Sequence, residues 1–287
     1  MNTFKNHGFS IELEREHSQA EDWYFGAASS PSLFEIPQNE REDYLPKGEV
    51  QKGVEDFMDC ASRGPLNILE TYFNYGMRNH KFSPENEAWL EDNGYITEDG
   101  YVELSDRYIA IRSGTTRSGN SLKAPINAIY EYGLIPKKLL PASKDMTFDD
   151  YHNPSSITSR MDNLGKEFKK RFKMNYEKVK EEDFEILYKY NLICLAGFAW
   201  PEPINGEYPH TTNTPNHVFV GIRTPLTYIF DNYIDSVDGD FIKKLARNFD
   251  YIDYGYRVFI SRENQPEPDH WFDSLLKKIL EFIKSLL

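Results

Sequence analysis

Between residues 58 and 76 the apolar positions Leu66, Leu69, Tyr72 and Phe73 recur at helical spacing. Gly76 supplies a stop signal, so the pattern predicts a helix directly after Cys60. Glu85 to Asp92 reads as a short helix, YITEDGYVEL as a hairpin around Asp99 and Gly100, and SDRYIAIRSG as a helix closed by Gly114. SLKAPINAIYEYGLIP adds a helix ending at Gly133, and a basic helix is expected over about 160 to 190. The pattern then changes. NLICLAGFAW, NHVFVGI, LTYIFDNYI and YRVFISR are short and rich in β-branched and aromatic residues, as strands are. A mainly helical half followed by a mainly β half predicts an α+β chain of two lobes, and no internal repeat interrupts that order.

The flanks differ from this body. Residues 1–45 carry nine acidic against three basic side chains and end in a run with Pro31, Pro37 and Pro46, which reads as a lead-in wrapping the surface. Residues 46–262 form the main body, and 263–270, within ENQPEPDH, a polar linker. Beyond it, Trp271 to Leu287 reads as an amphipathic helix. Its polar residues Asp273, Ser274, Lys277, Lys278, Glu281, Lys284 and Ser285 fall within an arc of about 140°. The broad apolar face needs a cover: the chain's own domain, a sister subunit, a partner or a membrane surface.

Charge and cysteine content narrow the partners. A formal charge of -13 repels phosphate backbones and anionic lipid, so no nucleic-acid partner is expected. The one basic cluster, Lys166, Lys169, Lys170, Arg171 and Lys173, reads as a solvated helix face. Two cysteines far apart, Cys60 and Cys194, do not make a disulfide framework and suit a reducing compartment. No apolar stretch reads as a signal peptide or membrane span, so residence in a cytoplasm is the expectation. The histidines other than His217 form no ligand-spaced pair, and no phosphate-cradling glycine loop or dinucleotide fingerprint occurs, so neither a metal nor a cofactor is expected.

Cys194 sits in the apolar run LICLAGFAW and reads as a small buried hydrophobe, whereas Cys60 lies where the polar run GVEDFMD gives way to a helix. A thiol becomes a nucleophile as its thiolate, which a helix N-terminus and a nearby imidazolium both favour. Pro65 lacks an N–H, and it allows the regular helix to start one turn after Cys60, weakening the first contribution. In NHVFVGI, Val218, Val220 and Ile222 alternate onto the core side, leaving His217 aimed off it. On the next strand Asp231 and Asn232 point to opposite faces, so one of the two can orient the imidazole.

Cysteine at a helix start, histidine on a strand, then an acid or amide on the following strand is the papain order, and at this point the chain resembles papain-like (C1 superfamily) cysteine peptidases, particularly divergent phage and metagenomic members. GEVQKGVEDFMDCASRGPLNILE is similar to the family's segment from the oxyanion-hole glutamine to the nucleophile helix. SGTTRSGNSLKAPINAIYEYGLIP resembles its glycine-rich substrate-binding stretch and following helix, PNHVFVGI its histidine strand, and YIFDNY the strand ending in the third member and an aromatic. The spacing from Cys60 to His217 is slightly above the roughly 130 to 150 residues typical of papain-like enzymes.

The resemblance implies a two-lobe fold and peptide hydrolysis, with Cys60 attacking the carbonyl, His217 as base and acid, and Asp231 in the third place because Tyr233 then takes the aromatic position. It also implies an oxyanion hole from the Cys60 N–H and Gln51, although Gln51 stands nine positions before Cys60, farther than the family's glutamine. Gly119 and Asn120 would line the cleft, with Asn216 at its wall. The substrate would be a peptide or protein, and a host cytoplasm or a virion a fitting location. Two alternatives share the constellation: an amidase or transglutaminase-like acyl transferase, and a papain-fold structural or binding protein without turnover, whose Cys60 would be unreactive.

Overall fold

The computed structural model describes residues 8–17, 31–47, 53–185, 192–197, 207–210, 214–223, 228–232, 241–246 and 248–261. The linker over 263–270 and the amphipathic segment Trp271 to Leu287 lie outside the described residues.

The helical half contains α1 (Ile11–His17), α2 (Cys60–Arg78), α3 (Pro84–Asp92), α4 (Asp106–Arg112), α5 (Lys123–Tyr132), α6 (Phe148–Tyr151) and α7 (Ser159–Arg171). The β half is a seven-stranded sheet: β1 (Met174–Lys180), β2 (Ile193–Gly197), β3 (Glu207–Tyr208), β4 (His217–Gly221), β5 (Tyr228–Phe230), β6 (Ile242–Leu245) and β7 (Tyr254–Ile260). Its spatial order is β1-β7-β2-β4-β5-β6-β3, antiparallel except for the β3–β6 pair. The class is α+β, as the sequence pattern predicts.

Helix α2 is the central element, buried all round from Cys60 to Gly76. Its polar residues Arg63, Asn67, Glu70 and Asn74 recur at helical spacing and would ordinarily mark a solvent face. Here they are buried, and each meets a partner as burial requires. Glu70 accepts the Leu104 N–H at 2.7 Å, and Asn74 accepts the Val102 N–H at 2.7 Å while donating to the Tyr44 carbonyl. The stripe thus pins the helix to the surrounding chain.

The sheet lies against α2 with alternate residues on its two faces, following the two-residue period of a strand. Cys194, Ala196, Val218, Val220 and Ile222 join the core shared with α2, while Ile193, Leu195, Phe219, Ile229 and Phe249 build a second cluster on the far side. The β4 alternation therefore runs as expected, but the far face is also covered, and His217 is fully buried instead of facing outward.

Three expectations need correction. First, the basic helix over 160 to 190 ends at Arg171, and β1 follows, paired along its whole length with β7. The charges in MNYEKVK obscure the strand pattern because they have partners in the fold: Glu177 stands opposite Arg257 and pairs with it at 3.3 Å, and the Lys178 ammonium lies 3.9 Å from the Tyr254 ring centroid.

Second, α2 runs through Gly76 to Arg78. The reversal comes at His80, which adopts the left-handed conformation (φ 49°). Third, the described part of the lead-in is built into the fold, since Phe9, Ile36 and Leu45 belong to the main core and the buried Arg41 reaches the Ile36 and Ile222 carbonyls. The basic cluster on α7 is engaged within the chain: Lys170 pairs with Glu167, Arg171 with Glu85, and Lys169 with the Glu131 carbonyl.

Candidate active site

Cys60 is the first residue of α2, so the helix does not wait for Pro65. Pro65 sits one turn inside, where its missing N–H leaves only the Ala61 carbonyl without its usual partner. The first helical N–H groups and the positive end of the helix dipole consequently lie at the thiol. The approach to Cys60 is held rigidly. Met58 takes a left-handed conformation (φ 54°), its N–H bonded to Asp56 Oδ1 at 2.8 Å. The buried Asp59 carboxylate accepts from Arg63 Nε at 3.0 Å and from Tyr151 Oη at 2.5 Å, and Arg63 also pairs with Asp106 at 3.1 Å. Both oxygens of Asp59 are thus engaged, which anchors the turn before the cysteine.

Across from it, β4 delivers His217 and the end of β5 delivers Asp231. The pairing Val220 to Phe230 and Gly221 to Ile229 sets this register. His217 Nε2 is 2.7 Å from Asp231 Oδ1, with both side chains fully buried, which leaves Nδ1 for the thiol. Cys60 hydrogen-bonds to the His217 ring and to the Val218 N–H. The second Asp231 oxygen, Oδ2, accepts from Tyr208 Oη at 2.8 Å. Asn232 points elsewhere, as the strand period demands, and accepts from Asn67 Nδ2 at 2.7 Å, two turns along α2 from Cys60.

Burial pushes the Cys60 thiol up, and the His217 charge, its hydrogen bond and the Val218 N–H oppose this without cancelling it. For His217 burial acts downward, but the Asp231 charge, the Cys60 thiolate across the ring and hydrogen bonds to both outweigh it, holding the imidazole well above its ordinary range. In this covered state burial favours the neutral form of the thiol, while Asp231 favours a proton on the imidazole beside it.

The cover is the N-terminal segment itself. Residues 8–10 run parallel to Asn120, with the Asn120 N–H donating to the Gly8 carbonyl at 2.9 Å and the Ser10 N–H to the Asn120 carbonyl at 2.8 Å. On the other side the Phe9 N–H donates to the Asn216 carbonyl at 3.1 Å. Gly8 has φ +103°, and a Cβ there would lie 2.6 Å from the Met58 carbonyl and 2.9 Å from Cys60 Sγ. Gly119 approaches equally closely from the opposite wall, where a Cβ would lie 2.3 Å from the Gly8 carbonyl carbon.

Past this contact α1 docks through the buried Glu14, which accepts the Leu122 N–H at 2.6 Å and the Tyr254 hydroxyl at 2.7 Å. His17 Nδ1 reaches Ser121 Oγ at 2.9 Å.

No protein-family profile and no curated protein sequence matches the chain. Solved structures do. Xylellain, a cysteine protease from Xylella fastidiosa, superposes with a TM-score of 0.53 at 12% identity, over 90% of this chain and 97% of that one. The proform of the Amb a 11 cysteine protease, a ragweed pollen allergen, gives 0.53 at 11% identity over 90% of this chain and 75% of that one. The fold is papain-like.

Within the papain-like fold the described residues place Cys60, His217 and Asp231 in one buried cluster, with Gly119, Asn120 and Asn216 around it. The Asn120 side chain is turned away, donating to the Ser113 carbonyl and the Thr115 hydroxyl, so only its backbone faces the N-terminal segment. Gln51 and Tyr233 lie outside the described residues.

Sequence reasoning missed Tyr208, Asn67 and residues 8–10. Asn67 carried only the signal of a polar stripe on α2 that would ordinarily mark a solvent face. Tyr208 and Gly8 carried none, because their relation to the site depends on pairings distant in sequence. Among the described residues no group of three or more His, Cys, Asp or Glu side chains is arranged to hold a metal ion.

Proposed function

We propose that this chain is a cysteine-type endopeptidase made latent by its own N-terminal segment. The observation that carries the proposal is the line of contacts from Cys60 at the start of α2, through the His217 ring, to Asp231 at 2.7 Å.

When the cover leaves, water reaches the thiol, the burial that raises its pKa is relieved, and the thiol proton passes to the neutral His217 imidazole, whose protonated form Asp231 stabilises. The Cys60 thiolate then attacks a peptide carbonyl. His217 donates its proton to the leaving amine as the C–N bond breaks, leaving a thioester. Water, deprotonated by His217, hydrolyses that thioester to release the acid and restore the thiol. Asp231 keeps Nε2–H engaged, so the other ring nitrogen stays aimed at sulfur. The Cys60 N–H, one of the helix N-terminal donors without an intrahelical acceptor, would hold the oxyanion, with Gln51 as the second donor.

A polypeptide is favoured over cell-wall or small amides as substrate because an extended peptide already fits the cleft. Residues 8–10 use the Asn120 and Asn216 backbone groups, which any other extended chain could take over.

Reaction with an epoxide-type thiol-protease inhibitor, read by intact mass and peptide mapping, tests the site, and a fluorogenic peptide panel tests the substrate class. Single labelling at Cys60 that disappears in His217→Ala, together with peptide turnover, is the expected result. A folded chain with residues 1–17 removed that neither labels nor cleaves would return the chain to the non-catalytic reading.

A further inference from the structure

We propose that Tyr208 is a positioning residue of this site, acting on His217 through Asp231. The inference rests on the assignment of Cys60, His217 and Asp231 above, and concerns what keeps the third of them effective. A carboxylate has two oxygens and His217 engages only one. A donor on the other oxygen of an aspartate buried beside the histidine limits rotation of the carboxylate and favours one orientation.

Tyr208 is such a donor. Its hydroxyl donates to Asp231 Oδ2 at 2.8 Å while Oδ1 receives the His217 Nε2–H at 2.7 Å, so the carboxylate plane is fixed at both ends. The phenol is itself packed in place. Tyr208 is 3% exposed within the far-side cluster, and its carbonyl accepts the Ala246 N–H where β3 runs parallel to β6. The short β3 strand thus brings a hydroxyl to the back of the site.

The hydrogen bond also tempers the charge. A donor on Oδ2 draws electron density from Oδ1, so the pull of Asp231 on the imidazolium is weaker than that of a bare buried carboxylate. Without the hydroxyl, His217 holds its proton to higher pH, and the imidazole is a poorer acid toward the leaving amine. The orientation of the ring is lost in part as well.

The test is Tyr208→Phe, which keeps the ring and its packing. The His217 titration is followed by NMR of histidine-labelled protein, assigned with His217→Gln, and peptide turnover is measured per active site titrated by the epoxide. The expected result is an upward shift of the His217 titration by about half a unit or more. With it, kcat falls about tenfold at little change in KM. An unchanged titration and an unchanged pH profile would overturn the proposal.

The same tyrosine substitution in an Asp231→Asn background separates charge from packing. No carboxylate is present there, so no further shift is expected, and a shift equal to that in the parent would mean that the ring packing acts, not the hydroxyl. A shifted titration in a chain that never turns over peptide would uphold the Tyr208 role and refute the peptidase reading instead.

Discussion

Gly8 lies against the Cys60 thiol so closely that a Cβ on it would stand 2.9 Å from Sγ and 2.6 Å from the Met58 carbonyl, and its φ of +103° disfavours any side chain. The covered state is therefore compatible with glycine at this position and with little else. Gly8→Val is expected to expel the segment from the cleft. Strain and overlap of about 1–3 kcal/mol would raise the uncovered population, and with it the rate of epoxide labelling at Cys60, by a factor of about 5 to 150. Because uncovering relieves the burial of the thiol, the alkylation profile should also move to lower pH. A labelling rate equal to that of the parent would mean that residues 8–10 do not control access.

Asp231 and Asn232 are adjacent but serve different partners, so their substitutions should separate. Asp231→Ala removes the acceptor of the His217 Nε2–H and is expected to lower kcat by about 10²-fold or more. Asn232→Ala breaks the contact with Asn67 and removes the acceptor of its buried amide. Its expected effect is a loss of stability of about 1–3 kcal/mol with kcat nearly retained. Steady-state kinetics with thermal unfolding on both variants checks the contrast, and a reversed order would place the orienting role on Asn232.

These pairs also show where the sequence stops being readable. The period of two along β4 and β5 separates Asp231 from Asn232, and the helix after Cys60 follows from its apolar spacing, so local periodicity locates the three groups. Which group faces which depends on the register between β4 and β5. Pro65 leaves the first turn of α2 open to two readings, because it carries an N-terminal signal that tertiary burial of the helix overrides.

Strand β1 was obscured for a related reason. Its charged residues resemble a solvated helix face until Arg257 and Tyr254 on β7 are seen to receive them. The same holds for Gly8 and Tyr208: each acts on the site across a pairing that no local window contains.

Glu14 is expected to make the attachment of α1 sensitive to pH. Its carboxyl is raised above the ordinary value, first by burial, with the Tyr254 hydroxyl, the Leu122 and Lys123 N–H groups and the Lys178 charge opposing that. A docked-state pKa above the free value means that docking favours the protonated form. The contribution is fully present below the free pKa of 4.5 and declines as pH rises through the docked-state value. Hydrogen exchange at Phe9 and Ser10 should therefore accelerate from pH 4 toward neutrality beyond the intrinsic rate. Glu14→Gln should flatten that excess, and an excess unchanged in the variant would assign the pH response to another group.

Gly64 sets how closely the nucleophile helix can lie on the sheet that carries His217. A Cβ there would lie 2.5 Å from Cys194 Sγ and 2.7 Å from Val218 Cγ1, and Val218 both follows His217 and donates its N–H to Cys60. Enlarging the residue must push α2 away from β2 and β4, since a packed interior has no space to absorb a side chain. Gly64→Val is expected to cost about 1–3 kcal/mol, which lowers the unfolding midpoint by several degrees. Because the displacement falls between Cys60 and His217, activity per folded molecule should fall as well. Gly64→Val combined with Cys194→Ala should recover part of both losses by vacating the space the sulfur occupies. If the second substitution recovers stability but not turnover, the spacing between helix and sheet is not what aligns the thiol with the imidazole.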